Sequence, residues 1–274
     1  MGGVLYLVGT PIGNLGDLSE RARETLSSVA LVAAEDTRRS GRLLRGLEIR
    51  KPLVSMFEGN EEERAAELVE RLEAGEDVAV VTDGGMPSIS DPGYRLVELA
   101  AKRGIDVRVI PGPSAAIAAL VLSGLPTDRF VFEGFLPRRP GDRGRRLQAL
   151  RQDPRTIVFF ESPRRLPTLL REIVVTWGDR RVAVCRELTK LHEEVLRGRA
   201  GEVLEAIGDR QLKGEVTVVV EGERDPDPPD PAAFLTEVRG LVEQGMRTRD
   251  AARAVAKRHG ASANELYRAA HSEG

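Results

Sequence analysis

The first 110 residues alternate between short apolar runs and longer amphipathic stretches. The apolar runs, four or five residues each, predict buried strands at 4–8, 31–34, 53–56, 78–82 and 107–110. Stretches with apolar residues three and four positions apart predict helices at 19–28, 37–47, 60–74 and 93–103, and Asn60 with Glu63 forms the pattern of a capping box. This alternation predicts a mostly parallel sheet that is covered by helices.

A second region of the same type follows, and a helical segment ends the chain. After a helix at 114–123, strands are expected at 130–133, 156–160, 182–186 and 216–221, with helices between them. The acidic, proline-rich residues 224–231 predict a linker, and helices are expected at 232–244, 249–259 and 262–270. The predicted fold class is therefore α/β, with α/β domains at 1–124 and 125–223, a linker at 224–231 and a helical C-terminal domain at 232–274.

The composition is that of a globular protein. Of the 274 residues, 41% are hydrophobic and 31% are charged, which argues against both a disordered and a membrane protein. The longest apolar run, 115–122, is much shorter than the roughly 18 residues that a membrane-spanning helix needs. No basic segment precedes the first apolar stretch, so a secretory signal is not expected. The single cysteine, Cys185, is consistent with a cytoplasmic protein.

Arginine clusters provide the features that suit a polyanion. The net charge is only −2, yet 36 of the 41 basic residues are arginine, the better side chain for binding phosphate. Five arginines lie within 138–146, in a glycine- and proline-rich context that predicts a flexible segment, and a second basic group lies at 247–258. Such groups predict salt-dependent contacts with nucleic acid, although a solvated charged surface explains a charge run equally simply.

Two glycine-bordered loops follow predicted strands of the first region. Residues Gly9-Thr-Pro-Ile-Gly-Asn-Leu-Gly16 lack the spacing of a dinucleotide fingerprint, so a nicotinamide cofactor is not expected. The segment Val81-Thr-Asp-Gly-Gly-Met-Pro-Ser-Ile-Ser-Asp-Pro-Gly93 follows a buried strand, at the sheet edge where α/β proteins bind ligands. Asp83 is a candidate hydrogen-bond acceptor for a ligand, and the alternative is that Asp83 and Asp91 only cap turns and the next helix.

Charged residues also follow other predicted strands. Glu35 and Asp36 follow the second strand next to two arginines, so either carboxylate is a candidate general base. In the second region, Glu161 follows one strand and Arg186, Glu187 and Lys190 end or follow another; all four would face one sheet edge if the two strands are parallel. Helix caps and structural ion pairs are the alternatives at both places.

These motifs, in this order, resemble the tetrapyrrole methylase superfamily and, within it, the ribosomal RNA small-subunit methyltransferase I family. The segments that carry the resemblance are 5–14, 34–38, 82–93, 111–116, 133–137, 160–162, 186–190 and 213–215. They cover most of the chain, and the C-terminal helices resemble the helix-turn-helix-like tail of that family. One departure is Asp83-Gly-Gly-Met-Pro87, where the family more often has Asp-Ala-Gly-Thr-Pro, so a side-chain hydroxyl role at Met86 is not expected.

The resemblance implies a homodimer that binds S-adenosylmethionine in the cleft between its two α/β domains. It implies methyl transfer to the 2′-oxygen of a cytidine in small-subunit ribosomal RNA, and we expect the assembled 30S subunit to be the substrate. No metal-ligand spacing is visible in the sequence, so no metal is expected, and no membrane partner is expected either. The expected donor contacts are Ile12, Thr82, Asp83, Met86, Ser114, Ala115, Phe160, Glu161, Leu188 and Val216.

The reaction also requires a proton acceptor and contacts with RNA. A carboxylate, or a lysine with a lowered pKa, is expected to take the proton from the ribose hydroxyl. The candidates, in order of preference, are Asp36, Glu35, Glu187 and Lys190. The basic residues expected to contact RNA are Arg38, Arg39, Arg138, Arg139, Arg143, Arg145, Arg146, Arg164, Arg249, Arg253 and Lys257.

Three alternatives remain open from the sequence. A methyltransferase that acts on precorrin or uroporphyrinogen shares the fold but leaves the arginine clusters without a purpose. A diphthine synthase-like enzyme with a protein substrate is a weaker alternative. A non-catalytic RNA-binding assembly factor is the third, and the two glycine-bordered loops argue against it because they carry no bulky blocking residue.

Overall fold

A computed structural model describes residues 2–223 and 234–272 of the chain. The chain divides into two compact units, Met1–Glu221 and Gly222–Gly274. The first unit contains both predicted α/β regions, and the second contains the C-terminal helices. The predicted linker at 224–231 lies outside the described residues, as do the first residues of the helix that was predicted to begin at 232.

The first sheet is entirely parallel, as the alternating pattern predicts. Its strand order is β3-β2-β4-β1-β5, so β1 lies between strands that come much later in the sequence. The strands are β1 Val4–Val8, β2 Leu31–Ala34, β3 Leu53–Ser55, β4 Val78–Val81 and β5 Asp106–Ile110. The helices are α1 Glu20–Ser28, α2 Thr37–Gly46, α3 Glu61–Glu73 and α4 Tyr94–Lys102.

Helices cover both faces of the first sheet. The apolar residues of α1 and α2 pack on one face, and those of α3 and α4 pack on the other. The predicted capping box at the start of α3 is wrong. The side chain of Asn60 instead accepts a hydrogen bond from the Phe57 amide at 2.8 Å and donates to the Ser55 carbonyl at 3.1 Å, which ties the preceding turn together.

The second sheet is mixed. Its order is β6-β7-β10-β8-β9, in which β6 and β7 are parallel and β10 runs antiparallel to both of its neighbours. The strands are β6 Phe130–Phe135, β7 Thr156–Glu161, β8 Arg181–Arg186, β9 Glu194–Arg199 and β10 Val216–Val220. Helices α6 Pro140–Leu150, α7 Leu166–Trp177 and α8 Ala200–Ile207 cover one face. Strand β9 was not predicted, because its charged and glycine residues hide the apolar alternation.

The other face of the second sheet is covered by helix α5 (Ala115–Ser123). Helix α5 was predicted to belong to the first domain, at 1–124, but its buried residues pack on strands of the second sheet. The Sγ atom of Cys185 lies 3.8 Å from the Ala119 carbonyl oxygen, and burial raises the pKa of this thiol to about 11. The two sheets thus belong to one compact unit that α5 helps to join.

The C-terminal unit contains three short helices around a small core. They are α9 Leu235–Glu243, α10 Thr248–His259 and α11 Ala263–Ser272, close to the predicted ranges. The core includes Val238, Val255 and Leu266, and the ring of Phe234 stacks on that of His259 with centroids 4.4 Å apart. None of the helices in the described ranges has both the length and the apolar character needed to cross a bilayer.

Candidate functional site

The carboxyl ends of β1, β2, β4 and β5, with the loops that follow them, form what we call the first edge. Because the sheet is parallel, the loops that begin at Gly9, Glu35 and Thr82 all leave from this edge. Thr10 and Gly85 exchange two backbone hydrogen bonds of 2.9 and 3.0 Å, which fasten the loop after β1 to the loop after β4. The two glycine-bordered loops are therefore one connected structure.

The hydroxyl group of Thr82 lies between two carboxyl groups. Its Oγ1 is 2.8 Å from Glu35 Oε2 and 2.6 Å from Asp91 Oδ2. A hydroxyl has one hydrogen and can donate to only one of these oxygens, so the other contact requires a protonated carboxyl group. Burial raises the pKa of Asp91 to about 6, even though the hydrogen bond from Thr82 acts in the opposite direction. Asp91 is therefore the carboxyl group best suited to hold the shared proton.

Asp83 combines partial burial with an unused acceptor. Its Oδ2 lies 3.1 Å from Arg39 Nη1, whereas its Oδ1 is buried and has no hydrogen-bond partner in the described part of the chain. Burial raises the pKa of Asp83, and the charge of Glu35 raises it further. A buried carboxylate oxygen without a donor is costly in a folded protein, so this position fits a ligand that supplies a donor or a positive charge.

Asp36 does not have the properties of a good general base. Its side chain caps α2 by accepting from the Arg38 amide at 2.8 Å, and the Arg38 guanidinium binds its second oxygen at 2.9 Å. These hydrogen bonds hold the pKa of Asp36 well below its usual range. A carboxylate that is so weakly basic is a poor proton acceptor near neutral pH, so the structure does not support its first place among the candidates.

The second edge is the end of the second sheet at which β6, β7 and β8 end and β10 begins. Val216, the first residue of β10, lies opposite both Glu161 and Arg186, which confirms that the ends of β7 and β8 share one edge. Glu161 is buried, and its carboxylate accepts from the Ser162 amide at 2.7 Å and lies 3.1 Å from Arg165 Nη2. Unlike Asp83, Glu161 has protein partners for both of its oxygens.

Lys190 and Glu187 form an ion pair next to the second edge. Lys190 Nζ lies 2.9 Å from Glu187 Oε1 and 3.1 Å from Glu215 Oε2. Burial alone would lower the pKa of Lys190, but these hydrogen bonds outweigh it and the pKa is raised. Burial likewise acts to raise the pKa of Glu187, and the hydrogen bonds from Lys190 and the Glu215 amide lower it overall. Lys190 is thus kept protonated and does not meet the expectation of a lowered pKa.

The two edges meet at two contacts. A side chain at Gly13 would collide with Leu188, Thr189 and Lys190, so the loop after β1 touches the loop after β8. At the other contact, a Cβ atom at Gly134 would lie 2.9 Å from Ser90 Oγ. Six of the expected donor contacts lie on or next to the first edge and at the start of α5, namely Ile12, Thr82, Asp83, Met86, Ser114 and Ala115. The other four, Phe160, Glu161, Leu188 and Val216, lie at the second.

The arginines of the 138–146 cluster differ in their surroundings, and most of the segment belongs to helix α6 rather than to a flexible loop. Arg143 is buried and binds Glu172 through two hydrogen bonds of 2.7 and 2.6 Å, so its prediction as an RNA contact is wrong. Arg146 is half-exposed but binds Glu133 at 2.7 and 2.8 Å, and exposed Arg145 binds Asp142. Arg138 and Arg139 are exposed and form no ion pair within residues 2–223.

Two other basic surfaces were predicted. Arg38 and Arg39 are exposed at the first edge but pair with Asp36 and Asp83, and Arg164 is exposed after β7. On α10, Arg249, Arg253 and Lys257 recur every four residues and are exposed, so they form a basic stripe on one side of the helix. Arg258 lies outside this stripe and pairs with Glu237.

Three residues of the site were not predicted. Asp91 was considered only as a turn residue, although its place in an Asp-Pro-Gly turn after the β4 loop was a usable signal. Glu215 lies just before β10 and was seen only as part of a family motif. Phe135 ends β6 with an exposed ring, and nothing in its sequence context distinguishes it from a core phenylalanine.

Two open surface grooves are present; the larger adjoins the end of the first-edge loop after β4, where the Gly93 amide donates to Glu61, and the smaller lies apart from both edges. The larger, of about 540 Å³, is lined mainly by acidic residues at the start of α3, which would repel phosphate, and the smaller, of about 430 Å³, lies beside α2. Neither groove contains an expected donor contact, so the functional assignment depends on the chemistry of the two edges. Within the described ranges, no group of three histidine, cysteine or carboxylate side chains forms a possible metal site.

Comparison with known proteins identifies the family. Residues 4–204 match the family model described as Tetrapyrrole (Corrin/Porphyrin) Methylases. A ribosomal RNA small subunit methyltransferase I from Thermotoga maritima is 50% identical over 80% of this chain and 99% of its own length. A protein of the same name from Halalkalibacterium halodurans is 41% identical over 99% of this chain and 96% of its own length.

A solved structure shows the same fold at lower sequence identity. The uroporphyrin-III C-methyl transferase from Thermus thermophilus, complexed with S-adenyl homocysteine, has a TM-score of 0.55 and 21% identity. The match covers 80% of this chain and 97% of that chain. At this identity the likeness concerns the fold alone.

Proposed function

Since the chain belongs to the tetrapyrrole methylase family and to the ribosomal RNA small subunit methyltransferase I family within it, we propose that it is an S-adenosylmethionine-dependent methyltransferase of 16S ribosomal RNA. The methylated atom is the 2′-oxygen of a cytidine in the small ribosomal subunit. The observation that carries this proposal is the first edge, which is built from family motifs, holds a buried Asp83 oxygen without a donor and touches the second edge at Gly13 and Gly134. A cytoplasmic protein that works on the assembled 30S subunit follows from this substrate.

The chemistry of the first edge fits the methyl donor. S-adenosylmethionine supplies an activated methyl carbon on a positively charged sulfonium, and its amino acid portion carries an ammonium group. Asp83 offers a buried carboxylate oxygen that has no protein donor, and Glu35 adds negative charge nearby. A cation bound here would offset the cost of burying these carboxylates. Half-buried Ile12 and Met86 offer apolar contacts on the same side of the cleft.

Glu35, Thr82 and Asp91 form the group best placed to handle the proton of the ribose hydroxyl. A carboxyl group with a pKa near 6 changes its protonation state close to neutral pH, which is the condition for efficient general base catalysis. Thr82 connects Asp91 with Glu35, so a proton taken up by either carboxylate is shared across the hydroxyl. Asp91, which Thr82 connects with Glu35, thereby replaces Asp36 as the first candidate base.

The exposed arginines near the second edge suit the RNA backbone. Lys190 stays protonated but is already bound by Glu187 and Glu215, so it is neither a base nor a free cation for phosphate. Arg138, Arg139 and Arg164 are exposed and have no ion pair in the described first unit, so their guanidinium groups are available to phosphate oxygens. Positioning of the ribose by these contacts would supply much of the rate acceleration.

We also propose that two copies of the chain form a dimer. Helix α5 is apolar on all sides, and while one face packs on the second sheet, Ile117 and Val121 remain exposed. A second copy that covers these side chains would remove apolar surface from water. Sedimentation analysis should then give twice the 29.9 kDa mass of the chain.

The basic stripe on α10 is the part of the C-terminal unit that we propose binds RNA. Replacing Arg249, Arg253 and Lys257 together with Gln should weaken binding to small subunits and flatten its salt dependence. Loss of three phosphate contacts lowers the slope of log K against log salt by about 2 to 3. Binding is measured by filter retention from low to high salt. Donor affinity should not change, and Arg258→Gln, which removes a paired arginine, should leave the slope nearly unaltered.

The decisive experiment is methyl transfer followed by mapping of the product. The chain is incubated with labelled S-adenosylmethionine and unmodified small subunits, and the RNA is digested and examined by mass spectrometry for a 2′-O-methylcytidine. Parallel reactions contain free small-subunit RNA or uroporphyrinogen. Methylation of a base, or of uroporphyrinogen alone, contradicts the proposal. Donor binding without transfer to any of the three would instead favour a non-catalytic RNA-binding protein.

A further inference from the structure

A β-bulge at the end of β6 places two phenylalanines on one face of the second sheet. Phe132 pairs with Val158 and Phe135 pairs with Phe160, but the register shifts between Phe132 and Gly134. In a regular strand, residues three positions apart point to opposite faces. The extra residue in the bulge cancels that alternation, so Phe135 comes to the same face as Phe132. Gly134 has a φ of +62°, which a glycine adopts at no steric cost.

The result is a row of three rings that ends in solvent. The centroids of Phe132 and Phe160 are 4.9 Å apart, and those of Phe160 and Phe135 are 5.6 Å apart. The inner rings belong to the core between the second sheet and α5, whereas Phe135 is 60% exposed. Phe135 lies at the second edge, where neighbouring Gly134 touches Ser90 of the first-edge loop. An exposed aromatic ring is thus held rigidly at the border of the cleft.

The surroundings of Phe135 are positively charged. Arg138 and Arg139 follow within four residues, and Arg164 lies in the turn after β7, the strand that pairs with β6; all three are exposed. Arg165 donates to the Leu136 carbonyl at 3.0 Å, which anchors this turn to the end of β6. Two other rings, Tyr94 and Phe57, are comparably exposed, but they adjoin the acidic groove at the start of α3 rather than exposed arginines without an ion pair. A fixed aromatic ring beside unpaired arginines is the combination that binds unpaired nucleotides.

We propose that Phe135 stacks against an unpaired RNA base next to the target nucleotide, while Arg138, Arg139 and Arg164 contact its phosphates. This inference rests on the proposed function, and it identifies single-stranded RNA at the cleft as the form of substrate that the second edge recognises. Stacking would hold the strand so that one ribose reaches the first edge. It also gives the exposure of Phe135 a purpose, because a ring at the mouth of the cleft is available to a base.

The test compares three substitutions in the full-length protein. Phe135→Ala removes the ring, Phe135→Trp keeps an aromatic face, and Phe130→Ala removes a 37% exposed ring from the opposite end of the same strand. Affinity for unmodified small subunits and for a single-stranded RNA oligonucleotide is measured with each. Phe135→Ala should weaken both by roughly 5- to 100-fold, the range for one base on an aromatic ring. Phe135→Trp and Phe130→Ala should stay within about twofold of wild type.

Two further measurements show whether stacking is the cause. Donor affinity, measured by calorimetry, should be the same in all three variants and wild type. In Phe135→Trp, the new tryptophan should be quenched when RNA is added, since the only other one, Trp177, is buried. A set of oligonucleotides, each lacking one base, is then compared. At one position, loss of the base should lower the affinity of the wild-type protein but should not lower the affinity of Phe135→Ala any further.

Several outcomes would overturn the inference. Phe135→Ala could bind RNA as wild type does, or the loss could be accompanied by an equal loss of donor affinity. The variant could also become monomeric, which would assign the ring to a second copy of the chain. If wild type binds no RNA, the inference and the proposed function both fail. If it binds RNA through Phe135 but transfers no methyl group, only the proposed function fails.

Discussion

The two edges of the cleft treat their charged side chains in opposite ways. At the first edge, Asp83 has a buried oxygen without a donor, and Glu35 and Asp91 compete for one hydroxyl hydrogen. Around the second sheet, the buried carboxylate of Glu161 pairs with Arg165, and buried Arg143 pairs with Glu172, although Arg165 Nε has no acceptor. The first edge holds a carboxylate oxygen without a donor, whereas the carboxylates of Glu161 and Glu172 have partners for both oxygens.

This difference indicates where a charged ligand is needed. A paired charge stabilises the fold and gains little from a ligand, whereas an unpaired buried carboxylate is stabilised by an incoming cation. The first edge therefore suits the cationic methyl donor. The second sheet provides a rigid frame for RNA contacts. This contrast can be tested by substituting one residue of each kind, the paired Arg143 and the donor-poor Asp83. The two substitutions should change the stability of the fold in opposite directions.

The largest effect is expected from the paired group. Arg143→Gln leaves Glu172 without its guanidinium partner, and the free energy of unfolding should fall by about 3 kcal/mol, the lower end for a broken buried pair because Glu172 is partly exposed. Urea denaturation at neutral pH measures this loss. Arg138→Gln, a matched change at an exposed arginine of the same cluster, should cost less than about 0.5 kcal/mol. Equal losses of unfolding free energy in the two variants would show that the buried pair of Arg143 with Glu172 contributes no more to stability than the exposed Arg138 does.

The next effect concerns the unpaired group. Asp83→Ala should weaken S-adenosylmethionine binding by about 10- to 100-fold, because a charge-assisted hydrogen bond contributes about 1.5 to 3 kcal/mol. The melting temperature should stay the same or rise, since the fold no longer buries a carboxylate oxygen without a donor, and the ion pair lost with it joins Asp83 to an exposed arginine, Arg39. Calorimetry and thermal melts measure the two quantities. Asp77→Asn is the control, because Asp77 accepts from the Val4 amide at the opposite end of the sheet and should affect only stability.

A decrease in stability for Asp83→Ala with unchanged donor affinity would contradict this assignment. It would mean that Asp83 serves the fold through its pair with Arg39, and the contrast between the two edges would lose its functional meaning.

The smallest effect depends on pH. Because burial raises the folded-state pKa of Asp91 from 3.8 to about 6, the folded protein keeps this proton over a pH range in which the unfolded chain has lost it. The free energy of unfolding therefore falls as the pH rises from about 3.8 to about 6, and it stays lowered above pH 6. Asp91→Asn removes that loss and can donate a hydrogen to Thr82. The variant should be about 1 kcal/mol more stable than wild type at pH 8, after allowance for solvent screening, and nearly equal at pH 4.

Thermal melts across this pH range test the sign of the difference. Exposed Asp128→Asn serves as the control and should show no pH-dependent difference of this size. If Asp91→Asn were less stable than wild type at pH 8, the ionised carboxylate would be stabilising. That result would contradict the assignment of a shared proton to Asp91 at Thr82.

Local pattern predicted most of the fold, and tertiary pairing explains the errors. The strands of the first sheet were found because their apolar residues form short runs. The inner strands β2 and β4 are wholly buried, whereas the edge strand β3 is half-buried and the edge strand β5 is mostly exposed. Strand β9 was missed because it is an edge strand with charged side chains. Helix α5 was assigned to the first region by its sequence position, and nothing local indicates that its apolar surface packs on the second sheet.

The site was predicted less completely than the fold. The turn that contains Asp83 could be recognised from its glycines and proline. The contact of Asp91 with Thr82 could not, because it depends on how the loop folds back to bring together two residues that are nine positions apart. Arg143 is buried and Arg138 is exposed, although both belong to one arginine-rich segment. Only the packing of α6 on α7 shows which of these arginines is buried. The orientation of Phe135 depends on a one-residue bulge that no periodicity reveals.

The position of β1 in the first sheet has a consequence for synthesis. Both of its neighbours, β4 and β5, are translated after it, and the nearer begins at Val78. At about 5 to 20 residues per second, a nascent chain waits roughly 4 to 14 seconds between completing β1 and producing β4. During that interval Leu5 and Leu7 have no strand to pair with. The first sheet therefore cannot be completed before residue 110 has been synthesised.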